Sequence, residues 1–62
     1  MYPVDHLVAQ RYVGTRRQFR VRWAGYGAAD DTWEDETLIL DDNLIAAFEA
    51  ATVNRGEGWS RG

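Results

Sequence analysis

The chain has 62 residues, enough for one domain near the lower size limit for folding without disulfides or metal. It has no cysteine and a single histidine, His6, which excludes disulfides, thiol catalysis and a Cys/His metal cluster. Seven arginines, no lysine and ten acids leave a net charge of −3, and no apolar run approaches the roughly eighteen residues of a membrane span.

The charges are segregated along the chain. Arg11, Arg16, Arg17, Arg20 and Arg22 fall in the first half; Asp30, Asp31, Glu34, Asp35, Glu36, Asp41, Asp42 and Glu49 fall in the second. Two readings follow: solvated faces that attract each other, or an acidic half that receives a basic partner. A nucleic-acid module would carry a basic excess, and this chain has the reverse.

In chain order, "HLVAQRYV" predicts a first strand over residues 6–13, rich in β-branched and aromatic side chains. "GTR" follows as a hairpin turn in which Gly14 supplies a positive φ. "QFRVRW" alternates strictly, with Phe19, Val21 and Trp23 on one face and Gln18, Arg20 and Arg22 on the other, which predicts a half-buried strand over 18–23. "AGYGAADD" reads as a glycine-containing loop and "TWED" as a short third strand over 32–35. From 40 to 51 the period changes: Leu44, Ile45, Phe48 and Ala51 share one helical face, and Asp41 or Asp42 caps its start. The tail over 52–62 is glycine-rich and aperiodic, which predicts a flexible end with Trp59 unpartnered.

The fold class is therefore α+β: a three-stranded curved antiparallel sheet packed against a C-terminal helix. The expected core is Val4, Leu7, Val8, Phe19, Val21, Trp33, Ile39, Leu44, Ile45 and Phe48. No nucleophile is paired with a histidine, no glycine loop is shaped for phosphate, and no metal-ligand spacing occurs. The reading is a non-enzyme with no cofactor and no metal.

The order of the motifs resembles a family. "YPVDHLVAQR", then "FRVRWAGYGAADDTWED", then "LIAAFE" is similar to a chromodomain, without a gap from Tyr2 to about Glu49. The resemblance implies an SH3-like partial barrel over 1–51, a nuclear, chromatin-associated location, and a monomeric domain that binds a methylated histone H3 tail and no membrane. It implies that Tyr2, Trp23 and Tyr26 form an aromatic cage for methyl-lysine, with the acidic Asp30 beside it. The peptide would enter as an added β-strand between residues 2–5 and 36–40, over a groove of Val4, Asp5, Glu34, Thr37 and Leu38. Trp33 matches the family's core tryptophan, so it is read as scaffold. By periodicity alone Trp23 is equally a core residue.

Two departures from the family pattern, and one proline, bear on the groove. Asp35 stands where many members have proline, which implies a looser loop. Leu38 stands where several have a polar residue that bonds the peptide, and Pro3 removes a backbone donor from the strand beside it. Two other functions compete with methyl-lysine reading. One is nucleic-acid binding through the arginine-rich hairpin of Arg16, Arg17, Arg20 and Arg22, or a chromodomain of the retroelement-integrase type. The other is self-association through the helix, which the small Ala46, Ala47, Ala50 and Ala51 make a poor surface for.

Overall fold

The computed structural model describes residues 2–54. Strand β1 (Val4–Val13) pairs antiparallel with β2 (Arg16–Trp23), β2 pairs antiparallel with β3 (Thr32–Asp35), and helix α1 (Asp42–Asn54) follows. Short 3-10 turns at Ala28–Asp30 and Glu36–Leu38 flank β3. The three strands and the helix are those expected from the pattern. β1 begins earlier than expected, because Val4 pairs with Trp23 across the sheet. α1 runs on through Asn54, and the expectation for the rest of the tail, Trp59 included, lies outside the described residues.

The hairpin turns on Gly14, whose φ of 62° is the left-handed value that two-residue hairpin loops require at their first central position. Two register shifts interrupt β1, between Val4 and His6 and between Leu7 and Ala9. Each inserts an extra residue against β2, which bends the strand and steepens its twist. The bending curves the sheet around its inner face, where Leu7 lies opposite Val21.

Leu7, Phe19, Val21 and Ile39 are buried, and Val4, Trp23, Leu44, Ile45 and Phe48 pack against them. Phe19 and Val21 have no exposed surface. Phe48 meets Phe19 edge-to-face at 5.7 Å, which fixes the helix to the sheet through an aromatic pair. The start of α1 is held by Asp41, whose Oδ1 accepts from the Asn43 backbone N–H at 2.9 Å. Ile39 closes the core from the segment between β3 and the helix.

Two expected core residues are placed differently. Val8 is half-buried and outside the cluster. Trp33 lies across from Arg20 in the β2–β3 register, and directly opposed residues share a face, so its ring is on the outer side of the sheet. There it is half-buried beneath the Arg11 guanidinium, 4.2 Å from the ring centroid. The four residues of β3 are too few for alternation to assign a face; the pairing register does.

The segregated charges meet on the folded surface. Arg16 pairs with Asp35, Arg17 with Glu49, and Arg20 and Arg22 both with Asp31. The Asp31 side chain is only 1% exposed, and Arg22 grips it with two bonds, Nε to Oδ1 at 2.6 Å and Nη2 to Oδ2 at 3.0 Å. These bonds, chiefly from Arg22, hold the Asp31 carboxyl below its ordinary range.

Candidate functional site

Tyr2, Trp23, Tyr26 and Asp30 line one cleft of about 180 Å³. Each side chain arrives by a different route. Trp23 ends β2. The Tyr26 N–H donates to the Trp23 carbonyl at 3.0 Å, closing a turn whose third residue, Gly25, has a φ of 85°. That value is the one a type II turn demands and glycine supplies. Tyr2 is brought across by the Ala24 N–H, which donates to the Pro3 carbonyl at 3.0 Å and ties the N-terminal segment beside the end of β2. The two tyrosine rings stand at 90° with centroids 6.5 Å apart, so they form adjoining walls. Tyr2 and Tyr26 are 68% and 52% exposed, far more than folding would leave on rings recruited for packing. Trp23 does both jobs: it packs against the core cluster and walls the cleft.

The cleft opens beside a larger groove of about 410 Å³ that shares Tyr2 and Trp23 with it. Of the expected groove residues, Val4, Glu34 and Leu38 line it; Asp5 and Thr37 are not in its lining. Asp5 lies in the solvent, 3.4 Å from the His6 ring. Thr37 is turned to Asp35, which accepts from its N–H at 3.0 Å and its hydroxyl at 2.7 Å, and it lines a separate polar hollow with Arg16 and Arg17.

Asp35 itself corrects the expectation of a loose loop. It caps the Glu36–Leu38 turn through Thr37 and receives Arg16 Nε at 2.8 Å, so the segment is pinned. Bonds from Arg16 and Thr37 hold its carboxyl well below the usual carboxylate range.

Ile39 and Leu40 fall in the 36–40 segment expected to flank the peptide, whereas the sequence reading did not identify Val21, Asp41 and Leu44 as groove residues. Ile39 is buried while Leu38 and Leu40 on either side are 63% and 80% exposed, a split that three apolar residues in a row do not reveal in the sequence. Also missed was Thr32, whose hydroxyl accepts from Trp23 Nε1 at 3.0 Å. Among the described residues no cluster of His, Cys, Asp or Glu could hold a metal ion.

Small-molecule pockets commonly occupy about 300–1,000 Å³; the cleft is smaller and fits the head of one side chain. Its chemistry is that of ring faces with a carboxylate at the edge, suited to a cation. Asp30 forms no ion pair among the described residues, nor do Glu34 and Asp41 in the groove. Three acids spared by the arginines therefore lie at the cleft and groove, while Asp5, Glu36 and Asp42 lie outside them.

The Chromo (CHRromatin Organisation MOdifier) domain family matches residues 2–51. The chain belongs to the chromodomain family. Its relatives include chromobox protein homolog 6 of Mus musculus and chromobox protein homolog 8 of Homo sapiens. Each is 37% identical over 79% of this chain, which spans 12% and 13% of those proteins respectively. The chromatin-associated protein SWI6 of Cryptococcus neoformans is 35% identical over 92% of the chain, which spans 28% of that protein. The chromodomain thus corresponds to a small part of each relative.

Proposed function

We propose that this chromodomain is a non-catalytic reader of methyl-lysine on a histone H3 tail, acting in the nucleus on chromatin. The observation that carries the reading is the meeting of Tyr2, Trp23 and Tyr26 around one open cleft with the unpaired Asp30 at its edge. A di- or trimethylated ammonium is bulky and weakly hydrated, and in the trimethyl form it has no N–H to donate. Ring faces attract it by roughly 0.5–2 kcal/mol per good contact, whereas free ammonium loses more hydration on entering. Asp30 adds a charge that favours any cation and can accept from the remaining N–H of a dimethyl form.

The groove supports an extended peptide running on from the cleft. β1 is an edge strand, so one side of its backbone is unpaired with the sheet. Across the groove the Leu40 N–H donates to no backbone carbonyl among the described residues. A strand laid between them would gain main-chain bonds on either side. The relatives point the same way, since two are chromobox proteins and one is chromatin-associated by name.

The test is a titration of methylated and unmethylated histone H3 tail peptides by calorimetry. The expected affinity for a methylated peptide is on the order of micromolar, about −8 kcal/mol, because one short segment is bound and its ordering opposes association. Equal affinity for both forms would refute the reading.

A further inference from the structure

The Trp23 indole is held by more than packing. Its Nε1–H donates to Thr32 Oγ1 at 3.0 Å, and the Thr32 hydroxyl donates in turn to Glu34 Oε2 at 2.8 Å. The direction of this chain is fixed by chemistry. An indole N–H can only donate, an ionised carboxylate can only accept, and a hydroxyl has one proton to pass between them.

The strand register builds the chain. Thr32 lies opposite Val21 and Glu34 opposite Phe19, so both point to the inner face that Trp23 also occupies. Thr32 is exposed and belongs to no part of the core cluster. Glu34 lines the groove, and its Oε1 has no hydrogen-bond partner among the described residues. One threonine hydroxyl thus stands between a wall of the cleft and an acceptor in the groove.

We propose that Thr32 is a positioning residue that holds the Trp23 ring face toward the cleft and couples that orientation to the occupancy of Glu34. The proposal rests on the methyl-lysine reading. Orientation matters because an aromatic ring is negative on its face and positive at its edge. A ring turned from face to edge changes from attracting a cation to repelling it. A peptide donor on Glu34 Oε1 immobilises the carboxylate, and a fixed carboxylate fixes the Thr32 hydroxyl that accepts from the indole. A peptide seated in the groove therefore orders the cage wall before or as the cation enters.

The experiment compares wild type with Thr32→Val, Thr32→Ser and Glu34→Ala, singly and with Thr32→Val combined with Glu34→Ala. Binding of a trimethyl-lysine histone H3 tail peptide and its unmethylated form is measured by calorimetry. The Trp23 indole N–H is followed by NMR, and melting temperature is the control. Valine is a good strand former at an exposed site, so the variant folds. Thr32→Val should weaken methylated-peptide binding about fivefold, the scale of one neutral hydrogen bond. It should barely change binding of the unmethylated peptide, and it should speed exchange of the Trp23 indole proton. Thr32→Ser, which keeps the hydroxyl, should restore affinity to within about twofold. The losses from Thr32→Val and Glu34→Ala should combine to less than their sum, as expected for members of one chain. Wild type that does not prefer the methylated peptide overturns the methyl-lysine reading and this proposal with it. Wild type that prefers it, beside a Thr32→Val variant of equal affinity or strictly additive losses, overturns the role of Thr32 alone.

Discussion

Phe19 has no exposed surface and Tyr26 is 52% exposed, so removal of each ring tests a different property. Tyr26→Ala should abolish methyl-lysine binding and keep the melting temperature within about 4 °C, the shift that about 0.5 kcal/mol brings in a domain this small. Phe19→Ala takes a ring from the centre of the core and its contact with Phe48. That loss costs about 3–5 kcal/mol, comparable to the whole stability of so short a chain, and the variant should be unfolded by circular dichroism. Trp33→Ala falls between them. It removes a half-buried ring and its contact with Arg11, a loss of about 1–2 kcal/mol, and the domain should stay folded. An unfolded Trp33→Ala beside a folded Phe19→Ala would place the core on the wrong face of the sheet. The roles of Phe19 and Val21 were legible because strict alternation over β2 needs no knowledge of a partner strand. The face of Trp33 was not, since it depends on which residue of β2 lies opposite. The meeting of Tyr2, Trp23 and Tyr26 at one cleft was legible only through the family resemblance, because by periodicity Trp23 is as good a core residue as Phe19.

At the scale of elements, the turn after β2 decides where the cleft lies. Gly25 sits at a φ of 85°, and a Cβ placed on it would meet nothing within 4 Å, so the cost of Gly25→Ala is conformational and not steric crowding by neighbours. An L-residue in the left-handed region costs roughly 1–2 kcal/mol, and the chain can relieve it by opening the turn that carries Tyr26. The expected result is a folded domain with weakened methyl-lysine binding and amide shifts confined to the turn and Tyr2. Unchanged affinity would show that the turn geometry does not position the ring. Elements with an internal signal were readable: the Gly14 hairpin, the β2 alternation and the helical period after Asp41. The two bulges of β1 were not, because an extra residue exists only relative to the strand it faces. Nor were the short turns at Ala28–Asp30 and Glu36–Leu38, each too brief to show a period and embedded in an acidic run that reads as loop.

Across the whole molecule, the charge segregation visible in the sequence is largely consumed by folding, with Arg16, Arg17, Arg20 and Arg22 each tied to an acid of the second half. Asp31 and Asp35 have carboxyls held below their ordinary range by these arginines, with Thr37 assisting at Asp35. Such groups stabilise the fold above the unfolded-state value, about 3.9 for aspartate, and the contribution is lost as pH falls through the lowered folded values. Melting temperature followed by circular dichroism should therefore show no loss from these groups between about pH 7 and pH 5 and a fall below about pH 4. Asp31→Asn and Asp35→Asn should each start lower and lose less in acid; an acid limb as steep as wild type in both would contradict the pairing. The same pairing governs ligands. Acids left unpaired at the cleft and groove attract a basic peptide, so added salt should weaken peptide binding, but modestly. Exposed charges are screened beyond about 8 Å at physiological ionic strength, whereas contacts to the rings of the proposed cage would be short and would exclude water. Duplex DNA would have to draw the arginines of β2 away from their carboxylates. Binding that did so at about four phosphates would lose on the order of a hundredfold between about 50 and about 200 mM salt, since log K changes by roughly 0.9 per phosphate for each decade. One salt series with a methylated H3 peptide and a random duplex separates the two. The peptide should bind more tightly at physiological salt with the shallower slope. A duplex that outlasts the peptide there, and is lost when Arg20 and Arg22 are replaced, would move the function of this chromodomain from the cleft to the outer face of the sheet.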